Sequence, residues 1–450
     1  MFIAHSAARV RLVRTIFVLA GLIPCAAIVA WAVHLRSESH RESVRLAWQR
    51  TVGLPLAIGT LESVRPGVVR ARDCTLTAAE GAATISCAAV EVEVSATEVR
   101  LRIERLRCDP AAARLLGFVA REWLERGARF DRDCVVEVAD FAWSLPGVAV
   151  GESPRGSRES AAAAVRIECV SQPGAQSGPQ SATETRAIRV VRRSGIPGGR
   201  DDELRVVRTA DAETAAAGER IDIEAAWAEP LPFDVLAAIA ADTPIAGWFL
   251  GRAAAATGTV RASRAQGRWT AELAGRIADV DLAAGLGMLA TRGSGSAVVD
   301  LVRCSCRDDR LIGLEVEATA GAGLVERRFL DSLLGTLGCR PGPAYPPVST
   351  AGDVAFDVAA WRLTITGRGV EIASGPRLTG PLALAGGHSL LEPPPVPTPV
   401  DRLAWLLAPP AAVPVPAGGP AGWLMSVMPR PGDPPERTSQ AERHGPGRGF

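Results

Sequence analysis

Thr15–Leu35 reads TIFVLAGLIPCAAIVAWAVHL, and this run constrains the rest of the chain more than any other stretch. It holds no charge beyond what His34 supplies, and about 20 apolar residues are enough for a helix to cross the roughly 30 Å hydrocarbon core of a bilayer. Residues 15–35 are therefore expected to form a transmembrane helix, so everything after Leu35 must fold on one side of a membrane. Pro24 is tolerated inside such a helix, where it is expected to kink the axis. Trp31 stands where an interfacial anchor belongs. A cleaved signal peptide is the competing reading. Arg9, Arg11 and Arg14 would be its basic n-region and Ala30-Trp31-Ala32 its cleavage pattern, but the apolar run is long for an h-region. Leu22-Ile23-Pro24-Cys25 is a poor lipidation motif, because Pro24 occupies a small-residue position. Charge leaves the orientation open, since Arg9, Arg11 and Arg14 face Arg36, Arg41, Arg45 and Arg50 across the span.

Beyond a short charged helix over residues 36–50, the hydrophobic period changes from helical to two. The clearest case is AAVEVEVSATEVRLRIERLRCD, residues 88–109. Folded about Ala96-Thr97, it pairs Val94 with Val99, Val92 with Leu101 and Val90 with Ile103. The same register sets Glu93 against Arg100 and Glu91 against Arg102. Apolar pairs on one face and opposite charges on the other are what an antiparallel hairpin with one wet face needs. A slip of one residue would destroy both sets. These six residues form a contiguous apolar face and are the candidate binding residues of the chain. Upstream, folding Val68–Val94 about Glu80-Gly81 puts Cys74 opposite Cys87 at a non-hydrogen-bonded position, where Cα atoms approach to about 4.5 Å. That separation admits a disulfide, and an oxidising compartment would permit one.

Asp109 can cap a helix that starts at Pro110 and ends before Gly127. Its stripe of Leu115, Leu116, Val119, Trp123 and Leu124 reads as core packing, and two arrangements stay open: the helix lies across the hairpin face through Leu115, Val119 and Trp123, or it caps one end and leaves that face open further along. Residues 150–187 read as Gly/Ser/Pro-rich loops around a short strand at Val165–Val170. Strands then resume, with GTVRASRAQGRWTAELAG and GSGSAVVDLVRCSCRDDRLIGLEVEATAG as hairpins and LPFDVLAAIA and GLVERRFLDSLLGTLG as short helices. VAFDVAAWRLTITG is expected to fold about Ala359-Ala360. From Glu392 onward the chain is Pro-rich and is expected to be disordered apart from a helical patch at VDRLAWLL.

Little here speaks for chemistry. The 50 basic residues are all Arg, and the net charge of +1 leaves no electrostatic footprint for nucleic acid. GLGMLA at Gly285–Ala290 matches a dinucleotide fingerprint, yet no β-α-β pattern surrounds it and no acid follows about twenty residues on. Glu91 and Glu93 are accounted for by arginines across the hairpin. The nine cysteines include no C-x-x-C, and the five histidines lie towards the chain ends. No catalytic residue, metal site or cofactor is expected. Cys304 and Cys306 share a strand face about 6.6 Å apart, which suits neither a disulfide nor a complete metal site and reads as core packing.

The membrane helix, then LAWQRTVGLPLAIGTLESVRPGVVRARDCTLT, then short strands resembles the start of AsmA-like envelope proteins. LPFDVLAAIA, GTVRASRAQGRWTAELAGRIADVDL and FDVAAWRLTITGRGVEI are similar to later segments of that family, so the resemblance spans residues 10–390. It implies a mainly β chain: one N-terminal transmembrane helix followed by an elongated, curved antiparallel sheet with an apolar groove and a few short packing helices. It implies an inner-membrane, single-pass protein with its bulk in the periplasm, whose partners are phospholipids or other lipids and other envelope proteins. Intermembrane lipid transport or outer-membrane biogenesis is the implied role. A non-transporting scaffold or secretion-system accessory is the alternative, and an enzyme the third class. The resulting division is 1–14 cytoplasmic, 15–35 transmembrane, 36–149 entry helix, first strands and packing helix, 150–187 loops, 188–391 β-rich region and 392–450 tail.

Overall fold

The computed structural model describes residues 7–77, 84–126, 132–144, 163–173, 183–195, 199–211, 219–239, 250–287, 289, 291–308, 310–347, 352–406 and 425–429. The chain is mainly β, with one long apolar helix near its N-terminus and a few short helices. It forms two compact units, Met1–Ile167 and Glu168–Phe450.

The first unit opens with α1 (Ala7–Phe17), a π-helical turn (Val18–Leu22) and α2 (Ile23–Leu35). Within them Arg11–His34 makes 24 residues apolar and long enough to cross a membrane. The π turn has a local cause. Pro24 has no N–H to give, and its ring crowds the carbonyl four residues back. The ladder widens just upstream, where the Ile23 N–H reaches the Val18 carbonyl. Ser37 caps α3 (Glu38–Val52) by accepting the His40 N–H at 3.2 Å, and Gly53 ends it in the left-handed region at φ 78°. Arg41 and Arg45 then donate to the carbonyls of Gly59 at 3.0 Å and Leu56 at 3.2 Å, fastening α3 to β1 (Leu56–Arg65).

From β1 the chain meanders through β2 (Val68–Thr77), β3 (Thr84–Val94), β4 (Glu98–Ile103) and β5 (Leu106–Cys108), with β4 and β5 end to end along β3. Asp109 accepts the Ala112 N–H at 2.8 Å to cap α4 (Ala112–Arg126), and the Thr84 N–H at 2.7 Å to tie that cap to β3. The strand after it, β6 (Asp133–Trp143), pairs in parallel with both β4 and β5. This corrects the wholly antiparallel expectation. A helix that carries the chain back to the starting end of the strands it has just left makes the next strand parallel, so α4 is the crossover of a β-α-β unit. The boundary between the units falls within β7 (Ala163–Pro173).

The second unit is built on β8 (Thr183–Arg192), β9 (Asp202–Asp211) and β10 (Arg220–Pro232), then α5 (Phe233–Ile239), β11 (Ala255–Ala265) and β12 (Arg268–Asp281). Next come α6 (Leu282–Gly287), β13 (Gly293–Ser294), β14 (Ser296–Arg307), β15 (Arg310–Ala320), β16 (Gly323–Glu326) and α7 (Arg327–Leu337). The last elements are β17 (Arg340–Pro341), β18 (Asp353–Phe356), β19 (Val358–Thr366), β20 (Gly369–Ser374), β21 (Ala383–Ala385), β22 (His388–Glu392) and α8 (Asp401–Leu406). β8, β9, β10, β11, β12, β14, β15, β19 and β20 pair in that order, every neighbour antiparallel. β13, β16 and β18 make a separate three-stranded sheet. Gln266 and Gly267, at φ 53° and 74°, supply the type I′ turn between β11 and β12 that Asn-Gly would supply elsewhere. Leu330 and Leu337 of α7 sink into a core with Phe356, Leu390 and Leu391.

Two sequence expectations fail here. Residues 353–366 do not fold on themselves about Ala359-Ala360. β18 leaves to join β16, while β19 runs unbroken between β15 and β20 and turns only after Thr366. Period-two alternation cannot distinguish pairing with itself from pairing with neighbours, and the Gly367-Arg368 turn decides. The Pro-rich tail is also more ordered than expected where it is described. Thr398 exchanges backbone bonds with Val370 at 2.7 and 2.8 Å, and its hydroxyl donates to the Leu337 carbonyl at 2.8 Å. Residues 407–424 and 430–450 of the tail, and 150–162 and 174–182 of the expected loop region, lie outside the described residues.

Candidate functional site

The hairpin of the first unit has the register read from its sequence: Val90 opposite Ile103, Val92 opposite Leu101, Val94 opposite Val99. Glu93 and Glu91 face Arg100 and Arg102, although Glu93 makes its ion pair with Arg65 at 2.9 Å and Glu91 pairs with Arg102 at 3.6 Å. β6 extends the apolar rows with Cys134, Val136 and Val138, residues that only the parallel crossover brings alongside. The covering residue was not foreseen. Val90, Ala71 and Cys74 are buried in a cluster with Trp48 of α3 and Ile58 and Leu61 of β1; Leu115, Val119 and Trp123 of α4 are not among its members. α3 is stapled to β1 by Arg41 and Arg45, so Trp48 reaches the face first. Only Val94, at the hairpin tip, is exposed, at 48%.

Cys74 and Cys87 are register partners as the sequence implied, and both are free thiols. The hydrogen bond with Cys87, then burial, push the Cys74 thiol up. Burial also raises Cys108 to about 12, and Cys134 and Cys339 to about 11, as packed thiols should be.

A larger apolar surface lies in the second unit. Successive register partners Ile188, Val206, Ile223, Ala262, Ala271 and Cys306 form one row from β8 to β14. Val190, Leu204, Ala225, Val260, Leu273 and Cys304 form the next, which continues through Leu314 and Ile365 to Val370 on β20. A third row starts at Trp227 and runs through Gly258, Gly275, Leu301, Val316 and Leu363. The opposite face alternates charge: Arg205, Glu224, Arg261 and Glu272 are partners from β9 to β12. Ion pairs lace it, among them Arg189–Glu203 at 2.7 Å and Arg276–Asp300 at 3.7 Å. A cavity of about 580 Å³ opens on this charged side, lined by Arg205, Glu224, Arg261, Glu272 and Arg307. Opposite charges already face each other there, as on a solvated sheet face.

Cover on the apolar face is uneven. Ile365, Val370 and Leu311 are buried together with Met428, and Val400 and Leu403 of the C-terminal segment pack against them. Across β9–β12 the rows stay half-buried, and Leu204 is 37% exposed. Sequence reasoning missed this surface. Its signal is alternation, but Ala225, Ala262 and Ala271 dilute it, and only the joint register shows that the rows are continuous. Gly285–Gly287 of GLGMLA lie in α6, between strands that pair antiparallel rather than in the parallel β-α-β arrangement of a dinucleotide fold.

No family model matches the chain, and no curated protein matches it significantly. The apolar face, its uneven cover and the apolar helix near the N-terminus are therefore the grounds on which a function can be argued.

Proposed function

We propose that the chain is a single-pass, inner-membrane-anchored, AsmA-like protein of the cell envelope that holds lipid acyl chains on its apolar sheet face. Its bulk lies in the periplasm, and it serves lipid transport or outer-membrane biogenesis without chemistry of its own. One observation carries this reading: apolar rows continue from β8 to β14, and one of them to β20, while the reverse face is charged. A sheet face of that extent left half-open must meet something apolar. The packed hairpin of the first unit favours the second reading, a non-transporting scaffold, because Trp48 and its neighbours already fill that face.

Mass spectrometry of lipids co-purified with the detergent-extracted protein separates the two. Leu273→Arg and Val206→Arg stand on half-buried positions and should leave the protein folded while bound lipid falls several-fold. Val370→Arg buries an unpaired charge at a fully covered site and should unfold the second unit, at a cost of about 3–5 kcal/mol. Unchanged lipid load in folded Leu273→Arg would favour the scaffold.

A further inference from the structure

Cys304 and Cys306 are both on β14, and their sulfurs stand 3.9 Å apart. Strand geometry alone spaces such residues about 6.6 Å apart along the chain, so the two side chains lean together. They do so where the β14–β15 register shifts between Ser305 and Cys306, an irregularity of the kind that re-aims side chains. An ideal strand would put their Cα atoms about 6.6 Å apart, near the upper end of the ~4.4–6.8 Å disulfide range, which favours an open dithiol.

A third sulfur lies in the hydrophobic cluster that the two cysteines pack against. Met428 is 6% exposed in the cluster against which Cys304 and Cys306 pack, and its other members are aliphatic. Among the described residues, no three His, Cys, Asp or Glu side chains are placed to hold a metal ion together. Zinc, which takes four N, O or S ligands, is therefore poorly served. We propose that Cys304, Cys306 and Met428 form a three-sulfur site for a soft monovalent cation, Cu(I). Thiolate and thioether donors select that ion. At a metal–sulfur distance of about 2.3 Å, as for zinc thiolates, sulfurs 3.9 Å apart subtend roughly 115°, the angle of trigonal rather than linear coordination. On binding, each thiol releases its proton to solvent and forms a bond to copper, while the thioether donates a lone pair and no redox change occurs.

The test uses the full-length protein in detergent, in a Cys74→Ser/Cys87→Ser background that removes the other adjacent thiol pair. The sample is kept reduced and anaerobic, and Cu(I) is titrated against a chromogenic Cu(I) chelator. The parent should bind one tight equivalent. Cys304→Ser/Cys306→Ser should weaken that binding more than about 100-fold, and the near-isosteric Met428→Leu about tenfold. X-ray absorption on the copper-loaded parent needs no further variant and should count three sulfur neighbours. Parent-like affinity in either variant overturns the site, as does a two-sulfur or nitrogen-containing shell.

Discussion

Cys74 and Cys87 test the first unit at the scale of single atoms. They are register partners and free thiols, and Cys74 directly follows the αL residue Asp73 at φ 52°. That residue marks a step in the face: Ala71 and Cys74, three apart, join one cluster, as do Cys87 and Val90, and Ile58 and Leu61. The step turns Cys74 and Cys87 inward, beside Val90. The hydrogen bond with Cys87, then burial, keep the Cys74 thiol protonated and slow to react with large reagents. A small oxidant such as diamide should nevertheless join the pair, because the two residues are direct cross-strand partners. Closing a loop of about 15 residues should raise stability by about 3 kcal/mol, less any strain. The checks are a loss of 2 Da in the Cys74–Cys87 peptide pair and a higher urea midpoint after oxidation. A lower midpoint would mean that the pairing distorts the step at Asp73.

Gly258 and Gly275 decide how β11 and β12 can pair. A Cβ on Gly258 would meet the Ala274 carbonyl oxygen at 2.5 Å, and one on Gly275 would collide with that of Thr257. Backbone cannot yield as a flexible side chain can, so these strands approach too closely for any other residue. The Trp227 indole lies across the gap, its Nε1–H donating to the Ala256 carbonyl at 2.9 Å and its ring near Gly258, an aromatic filling the space that glycine leaves. Gly275→Val should therefore cost about 2–4 kcal/mol through separated strands, seen as lost amide protection along β11 and β12. Valine at Ala271, two pairs along on the half-buried face, should cost under about 1 kcal/mol. The same strands show what could be read from sequence alone. Hairpins with a turn residue in place, such as Gln266-Gly267, and hairpins with two mirrored chemistries, such as residues 88–103, were legible because local residues fix their register. The parallel return of β6, the departure of β18 and the cover by Trp48 were not. Each depends on which of several compatible edges the chain meets first, and alternation is silent on that. The extended apolar face failed for a related reason: no single strand carries it, and alanines hold several of its places.

At the scale of the whole chain, the question left by the arginines on either side of the apolar helix is which side faces the cytoplasm. Counted alone, they balance. The folded state separates them. Arg41 is paired with Glu38 at 3.0 Å and bonded to the Gly59 carbonyl, and Arg45 is paired with Glu42 and bonded to the Leu56 carbonyl. Residues 1–14 contain no acid, so the segment carrying Arg9, Arg11 and Arg14 is net positive. The negative surface of the cytoplasmic leaflet attracts such a cluster, by about 1 kcal/mol for each basic residue close to it. The docked α3, two of its arginines committed to its own fold, has less to give there. This predicts a cytoplasmic N-terminus and a translocated bulk, the orientation that the lipid-handling reading requires. An alkaline phosphatase fusion at the C-terminus should be active and a green fluorescent protein fusion at the same point dark. Replacing Arg9, Arg11 and Arg14 by Glu should weaken that bias and raise the dark fusion's signal. A C-terminal fusion fluorescent in the unaltered chain would place the sheets in the cytoplasm and remove the envelope role with them.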